Sequence, residues 1–287
     1  MVQADIAYRV EHVATTEEAS GAPRPRARLV RAPLGLVLPL GLLAVWSVAA
    51  QRAWAPPQIL PAPALVGETL VDLASSGELL LNTAISLGRV AAGFAVGSLL
   101  GLLLGAGMGL SRRFEQYVSP LFNAINQVPV LGWLPLAMMA FGIGESLKVV
   151  IIAQASLVPI AANVRSGMRR IPAQYVEVAR VFRFTNAQFL RKVVFPATVP
   201  SLFVGVRYGL TLAWLSLVTV ELIASSEGLG FLIVWGRQLF QLDLVLAAIV
   251  SIGVVGLVLD KGLGKVESRL LRWRPDAAWG EAKAVAR

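Results

Sequence analysis

Six stretches of this chain stay apolar for close to the ~20 residues that a helix needs to cross a bilayer. They run from about Leu34 to Ala50, Ala84 to Leu110, Leu121 to Phe141, Leu147 to Val164, Ser201 to Ala224 and Leu242 to Leu263. Breakers and polar residues separate them, among them Pro56-Pro57, Ser111-Arg112-Arg113, Gly142-Ile143-Gly144-Glu145 and Gly228-Leu229-Gly230. Lipid offers no hydrogen-bond partner to a backbone, so each stretch must satisfy its own N–H and C=O groups as a helix. At 287 residues the chain is long enough for one large soluble domain or two small ones. Its 56% hydrophobic and 15% charged residues, against ~45–50% and ~25% in soluble chains, carry more apolar surface than such a fold can hide. The expectation is an all-α polytopic membrane protein with six transmembrane helices. Residues 1–33 form an N-terminal tail, 34–265 the transmembrane domain with a large loop at 165–198, and 266–287 a C-terminal tail.

Composition narrows the chemistry. Zero cysteines exclude a disulfide framework, a thiolate zinc site and a cysteine nucleophile, and the single histidine, His12, excludes a multi-histidine metal site. No catalytic, cofactor-binding or metal-binding cluster is expected. A net charge of +9 resembles a nucleic-acid signal until the charges are located. Of the 26 Lys and Arg, only Arg52, Lys148 and Arg237 fall on one side of the predicted spans, and Arg89 and Arg207 fall inside them. All the others lie on the opposite side, which the positive-inside rule assigns to the cytoplasm together with both termini. Membrane orientation therefore accounts for the charge, and nucleic acid is not expected as a partner. Ala53-Trp54-Ala55 loosely mimics a signal-peptide cleavage site, but the polar leader before the first stretch is long for one.

Gly93, Gly97, Gly101, Gly105 and Gly109 recur every fourth residue of the second stretch, and Gly205 and Gly209 repeat the device on the fifth. At 3.6 residues per turn they form a bare stripe that lets another helix backbone approach closely. Pro129, Pro135 and Pro159 are expected to kink the third and fourth spans. Arg89, Arg207 and Glu221 are ionisable groups inside spans, where burial against lipid is costly and a pathway role or a charged neighbour is expected. Arg207 and Glu221 lie ~21 Å apart along an ideal helix and cannot pair within it. A guanidinium suits a sulfonate or carboxylate, and Asn126, Gln127 and Trp214 are further candidates to line a pathway.

The loop between the fourth and fifth stretches is the most informative segment. Pro172 suits a first helical turn. Tyr175, Val178, Ala179 and Phe182 then fall at i, i+3, i+4 and i+7. Thr185 or Asn186 can cap a second short helix carrying Phe189, Leu190 and Val193 on one face. Two short helices outside the membrane can either rest on anionic headgroups or present Tyr175, Phe182 and Phe184 to a partner protein, with Glu177 bracing the turn.

Glu177-x-Ala179, followed downstream by Pro196, resembles the "EAA" loop of permease subunits in bacterial binding-protein-dependent ABC importers. Pro196-Ala197-Thr198-Val199-Pro200-Ser201, Gly205-Val206-Arg207 and the segment Trp214 to Glu221 resemble the aliphatic sulfonate, taurine and nitrate branch. So do Trp133-Leu134-Pro135-Leu136, Phe141 to Ser146, Gly228-Leu229-Gly230-Phe231 and Leu271-Arg272-Trp273-Arg274-Pro275. The likeness extends over roughly residues 58–275. One departure is Arg183, where the family usually has the turn glycine. Arginine resists positive φ, so a wider turn or an altered docking is expected.

The resemblance implies a MetI-like fold and a bacterial inner-membrane location. It also implies a homodimer of such subunits, cytoplasmic ATPase subunits that carry ATP and Mg, and a periplasmic or lipid-anchored substrate-binding protein. Tyr175, Glu177, Ala179, Phe182, Arg183, Phe184 and Pro196 would form the ATPase-coupling loop. Consistently, Gly264-Lys265 is the only Gly-Lys pair, and Leu259 and Val266 stand where a phosphate-binding loop needs Gly and Ser or Thr. The chain is thus expected not to be an enzyme and to hold no cofactor of its own. The expected solute is a small anion, foremost an aliphatic sulfonate, with taurine, nitrate or bicarbonate, or a thiamine precursor as alternatives. A stand-alone secondary transporter would need paired intramembrane acids, and a membrane enzyme would need a catalytic cluster at a membrane face. The sequence offers neither pattern.

Overall fold

The computed structural model describes residues 31–56 and 58–271, and the regular structure among them is helical throughout. Helix α1 covers Arg31–Gln51, with Pro39 inside it, and the chain divides into two compact units between Trp54 and Ala55. The basic residues before Arg31 and after Leu271, as well as His12, lie outside the described residues.

The second unit begins with α2 (Pro63–Ser75), α3 (Glu78–Leu110) and α4 (Arg112–Gln127). A 3₁₀ turn at Val130–Trp133 leads into α5 (Leu134–Phe141), and α6 covers Glu145–Arg169. Next come α7 (Ala173–Val181) and α8 (Asn186–Phe189), which continues through a π-helical turn at Leu190–Val194 into α9 (Phe195–Ala224). Helices α10 (Leu229–Gln238) and α11 (Leu242–Leu270) complete it.

Helices α3, α6 and α11 and the stretch containing α9 are each long and apolar enough to cross a membrane. The second, fourth, fifth and sixth expected spans therefore stand. The third does not stand as one straight helix. Its window straddles α4 and the Val130–Phe141 segment, which meet at 93°. Pro129 explains the break, because proline pushes the preceding residue out of the α region. Val128 is accordingly extended (φ −87°, ψ 120°), and Pro129 starts the 3₁₀ turn. Helices α2 and α10 are too short to register in a 20-residue hydropathy window, although Pro63 at the start of α2 is a helix-initiating signal.

Helix α6 is the axis of the second unit. Ile151, Ile152, Ile160, Ala161 and Val164 on it are fully buried. On one side it meets the glycine stripe of α3. A Cβ on Gly93 would stand 2.6 Å from Ile152 Cβ, one on Gly101 would stand 2.7 Å from the Leu157 carbonyl oxygen, and one on Gly105 would stand 2.6 Å from that of Ala161. At Gly97 it would run into Ser156 and the Ala153 carbonyl, and at Gly109 into Met168. On the other side Gly205 of α9 leaves only 2.8 Å to Asn163 Cβ, and Gly209 leaves 3.1 Å to Ile160. Lipid tails are as apolar as leucine, so association here rests on close van der Waals contact rather than on escape from water.

Helix α4 is strongly amphipathic. Val118, Leu121, Phe122 and Ile125 cover an apolar cavity of about 530 Å³ shared with α3 and α6, while Gln116, Asn123 and Gln127 are exposed on the opposite face.

Gly101→Leu is expected to force α3 away from α6 and lower stability by about 1–3 kcal/mol. Thermal unfolding of the detergent-purified protein measures it, and an unchanged midpoint would mean the two backbones are not in contact there.

Candidate functional site

Two charged assemblies lie along the spans, and they differ in how tightly each is closed. The first is closed around Arg89 and Glu221, with Glu145 exposed at its edge. Glu221, with no exposed surface, accepts hydrogen bonds from Ser86 Oγ (2.8 and 3.0 Å), Arg89 Nη1 (2.8 Å) and the Gly230 N–H (2.9 Å). Gly228-Leu229-Gly230 opens α10 around this carboxylate, where the N-terminal peptide dipoles favour negative charge. Gly228 has φ +105°, and a Cβ on it would collide with Glu221, so only glycine fits. The Gly228 and Leu229 N–H groups donate to Asn82 Oδ1 and Ser86 Oγ.

Arg89 spends its other donors on Glu145 (Nε 2.7 Å, Nη2 2.6 Å) and on the Glu227 carbonyl (2.8 Å). Lys148, itself buried, donates to Glu145 at 2.7 Å. The two acids balance the two bases, and the cluster joins α3, α6, α9 and the start of α10. Arg89 and Glu221 are thus brought together in a mutually satisfied network. Ser86, Glu145 and Lys148 complete it and were missed as partners because the contacts join three separate helices, α3, α6 and α9.

The second assembly is open. Arg207 binds Asp260 of α11 through a bidentate fork (Nε–Oδ1 2.8 Å, Nη2–Oδ2 2.9 Å), with Glu267 at 3.9 Å. Both side chains of the fork are close to half exposed, 49% and 42%. They border a pocket of about 240 Å³ that is also lined by Leu210, Thr211, Trp214, Leu215, Gly256 and Leu259. Asp260 sits inside the sixth apolar window, and an acid in such a window is the signal that would have revealed this partner of Arg207. Asn126 and Gln127 are exposed at the end of α4, beside the 93° corner, and belong to neither assembly.

The loop after α6 begins later than the hydropathy pattern suggests. Arg165 and Arg169 lie on the last turns of α6, where both pair with the buried Glu115 of α4. Beyond them, α7 and α8 make the expected pair of short helices. The first ends in a Schellman turn, with the Phe184 N–H donating to the Ala179 carbonyl (2.9 Å) and the Arg183 N–H to that of Arg180 (3.0 Å). Arg183 takes φ +49° to make it. The expected wider turn is therefore replaced by the tight one, with arginine held in the left-handed conformation.

Thr185 caps α8 through a full capping box with Gln188. These backbone and capping bonds brace the turn. Glu177 is exposed and has no side-chain partner among the described residues, which corrects its expected bracing role. The stripe read as amphipathic splits in the same way. Ala179 is buried, whereas Tyr175, Val178, Val181 and Phe182 project outward. Phe184 lies 6.4 Å from the Phe182 ring and under Lys192 Nζ, 5.4 Å away. Pro196 stands in the first turn of α9.

Residues 97–272 match the profile of the binding-protein-dependent transport system inner membrane component family, and the chain belongs to that family. It is 38% identical over 240 residues to the putative aliphatic sulfonates transport permease protein SsuC of Bacillus subtilis (strain 168), covering 84% of this chain and 87% of that one. It is 37% identical over 238 residues to the protein of the same description in Escherichia coli (strain K12), covering 83% and 90%. Among solved structures, the fold is similar to a chain of an amino acid ABC transporter crystallised with histidines. That match has a TM-score of 0.58 at 17% identity and covers 71% of this chain and 98% of that one.

Glu221→Ala is expected to strand Arg89 beside an emptied pocket and to cost about 3 kcal/mol, read as a lowered thermal midpoint, with Glu221→Gln losing less. Arg183→Gly is expected to relieve the left-handed strain by about 1 kcal/mol. It should slow hydrogen exchange at the Phe184 N–H, and faster exchange would contradict the Schellman geometry.

Proposed function

We propose that this member of the family is the membrane-spanning permease subunit of an ATP-driven importer and that its solute is a small organic anion, foremost an aliphatic sulfonate. The observation that carries the mechanical half is the outward-facing patch on α7. Tyr175, Val178, Val181 and Phe182 are 58%, 52%, 79% and 71% exposed, on a short helix whose end is fixed by a Schellman turn. Exposed apolar side chains grouped on a rigid element mark a docking surface.

A cytoplasmic ATPase subunit is the partner that this surface serves, since the chain has no phosphate-binding loop of its own. Two copies of the permease, two ATPase subunits and an external binding protein form the working assembly, with both termini of each permease in the cytoplasm. Closure of the ATPase pair moves the α7–α8 elbow, and the spans respond by changing which side of the membrane the pathway faces. The exposed polar face of α4, ending in Asn126 and Gln127, and the pocket at Arg207 and Trp214 line that pathway. Arg89 and Glu221 close one end of the helix pack. The identity to two sulfonate permeases supports the solute class, and the partly exposed guanidinium of Arg207 is compatible with it.

Glu177→Lys is expected to abolish uptake of alkanesulfonates in cells while the protein still reaches the membrane, because it inverts an exposed charge on the docking helix. Loss of ATPase co-purification would accompany it. Normal uptake with normal co-purification would remove the docking assignment. Growth on alkanesulfonates that survives deletion of the gene would remove the solute.

A further inference from the structure

We infer that the pocket between α9 and α11 holds the anionic head of the solute in transit, with Arg207 exchanging the carboxylate of Asp260 for it. The inference rests on the reading of the chain as an importer of organic anions.

The pocket lining combines two chemistries. Arg207 and Asp260 supply the charge, and Leu210, Leu215 and Leu259 the apolar lining. A volume of about 240 Å³ gives room for a charged head on a short aliphatic tail. Both charged groups lie on apolar helices and are close to half exposed. Charged groups on an apolar helix are costly against lipid and usually face protein or water, which favours a polar, protein-enclosed setting for this face. The fork geometry then matters. Asp260 offers two oxygens to Nε and Nη2, and a sulfonate offers the same two-oxygen edge to the same guanidinium. Asp260 occupies the position that the solute head would take.

Arg89 makes the contrast. It is buried and bound to two acids and a carbonyl, so nothing can replace its partners cheaply. Arg207 has one close partner, and a solvated pair of that kind contributes little net energy. A second donor stands on the pocket wall. Trp214 is 7% exposed, and its Nε1 is the atom nearest to where a Cβ on Gly256 would lie, at 2.9 Å. The indole N–H has no acceptor among the described residues. Glycine at 256 lets the indole edge come this close to α11, and an oxygen of the bound head completes its hydrogen bond. Because Asp260 and Glu267 both compete for Arg207, the affinity is low, which suits a site that must release its occupant.

The test uses the permease–ATPase complex in nanodiscs, without the binding protein, and radiolabelled butane-1-sulfonate as probe. Weak saturable binding is expected for the wild type. Asp260→Asn removes the competing carboxylate and should tighten binding about tenfold. Arg207→Gln should abolish it, and Trp214→Phe, which keeps the ring and deletes the N–H, should weaken it. Unlabelled butylamine should not compete. The Arg207→Gln, Asp260→Asn double variant, which removes both halves of the fork, should keep a cooperative thermal transition close to that of the wild type while binding nothing.

Equal binding in the wild type and Arg207→Gln, or no gain in Asp260→Asn, overturns the exchange site. Uptake of butane-1-sulfonate by cells carrying the wild-type importer is measured in parallel. If uptake is normal and the binding predictions fail, only the pocket is lost. If uptake is absent, the solute assignment itself fails.

Discussion

The second unit depends on a contact that water cannot drive. Inside a bilayer a leucine gains nothing by turning from lipid to protein, so helices hold together only where their backbones come close enough for many weak attractions to add up. Here that closeness centres on α6. Glycines of α3 approach it from one side and Gly205 and Gly209 of α9 from the other, and nearly every approach would be blocked by a single added methyl carbon. Large side chains such as Ile152 and Ile160 fill the ground that the glycines vacate.

Charge then sorts the molecule into a closed cluster and an open one. Around Glu221, three spans and the start of α10 share a neutral set of two acids and two bases, with hydroxyl and peptide donors filling the remaining positions. Removing Glu221 or Arg89 leaves the other's buried charge short of a partner. Arg207 and Asp260, on α9 and α11, form the opposite arrangement: a lone fork beside an accessible space. The same residue type thus performs two tasks, and the number and burial of its partners decide which.

Much of this was legible in the sequence because bilayer thickness converts directly into a run of apolar residues. The glycine spacing on α3 and the two-helix loop were equally readable, since each repeats at the helical period. Three features escaped. The corner between α4 and α5 was expected only as a kink at Pro129, and its full 93° escaped because hydropathy averages over the break. The pairings Arg89–Glu145, Arg89–Glu221 and Arg207–Asp260 join residues from different spans, and no local pattern reports which spans are neighbours. Arg183 was misjudged for a related reason. Its side chain argues against a left-handed turn, but the two hydrogen bonds closing the end of α7 outweigh that local preference.

The join between the elbow and α9 has a consequence of its own. No loop interrupts the chain from Asn186 to Ala224, and the only irregularity is the wide turn at Leu190–Val194. A rod with one loosened winding near its base behaves as a crank. Sideways pressure on its short arm becomes torque along the shaft, and Arg207 and Glu221 ride on that shaft. The loosened winding sets the phase between arm and shaft, so inserting or deleting one residue there would rotate every later side chain by roughly 100° without breaking a single span.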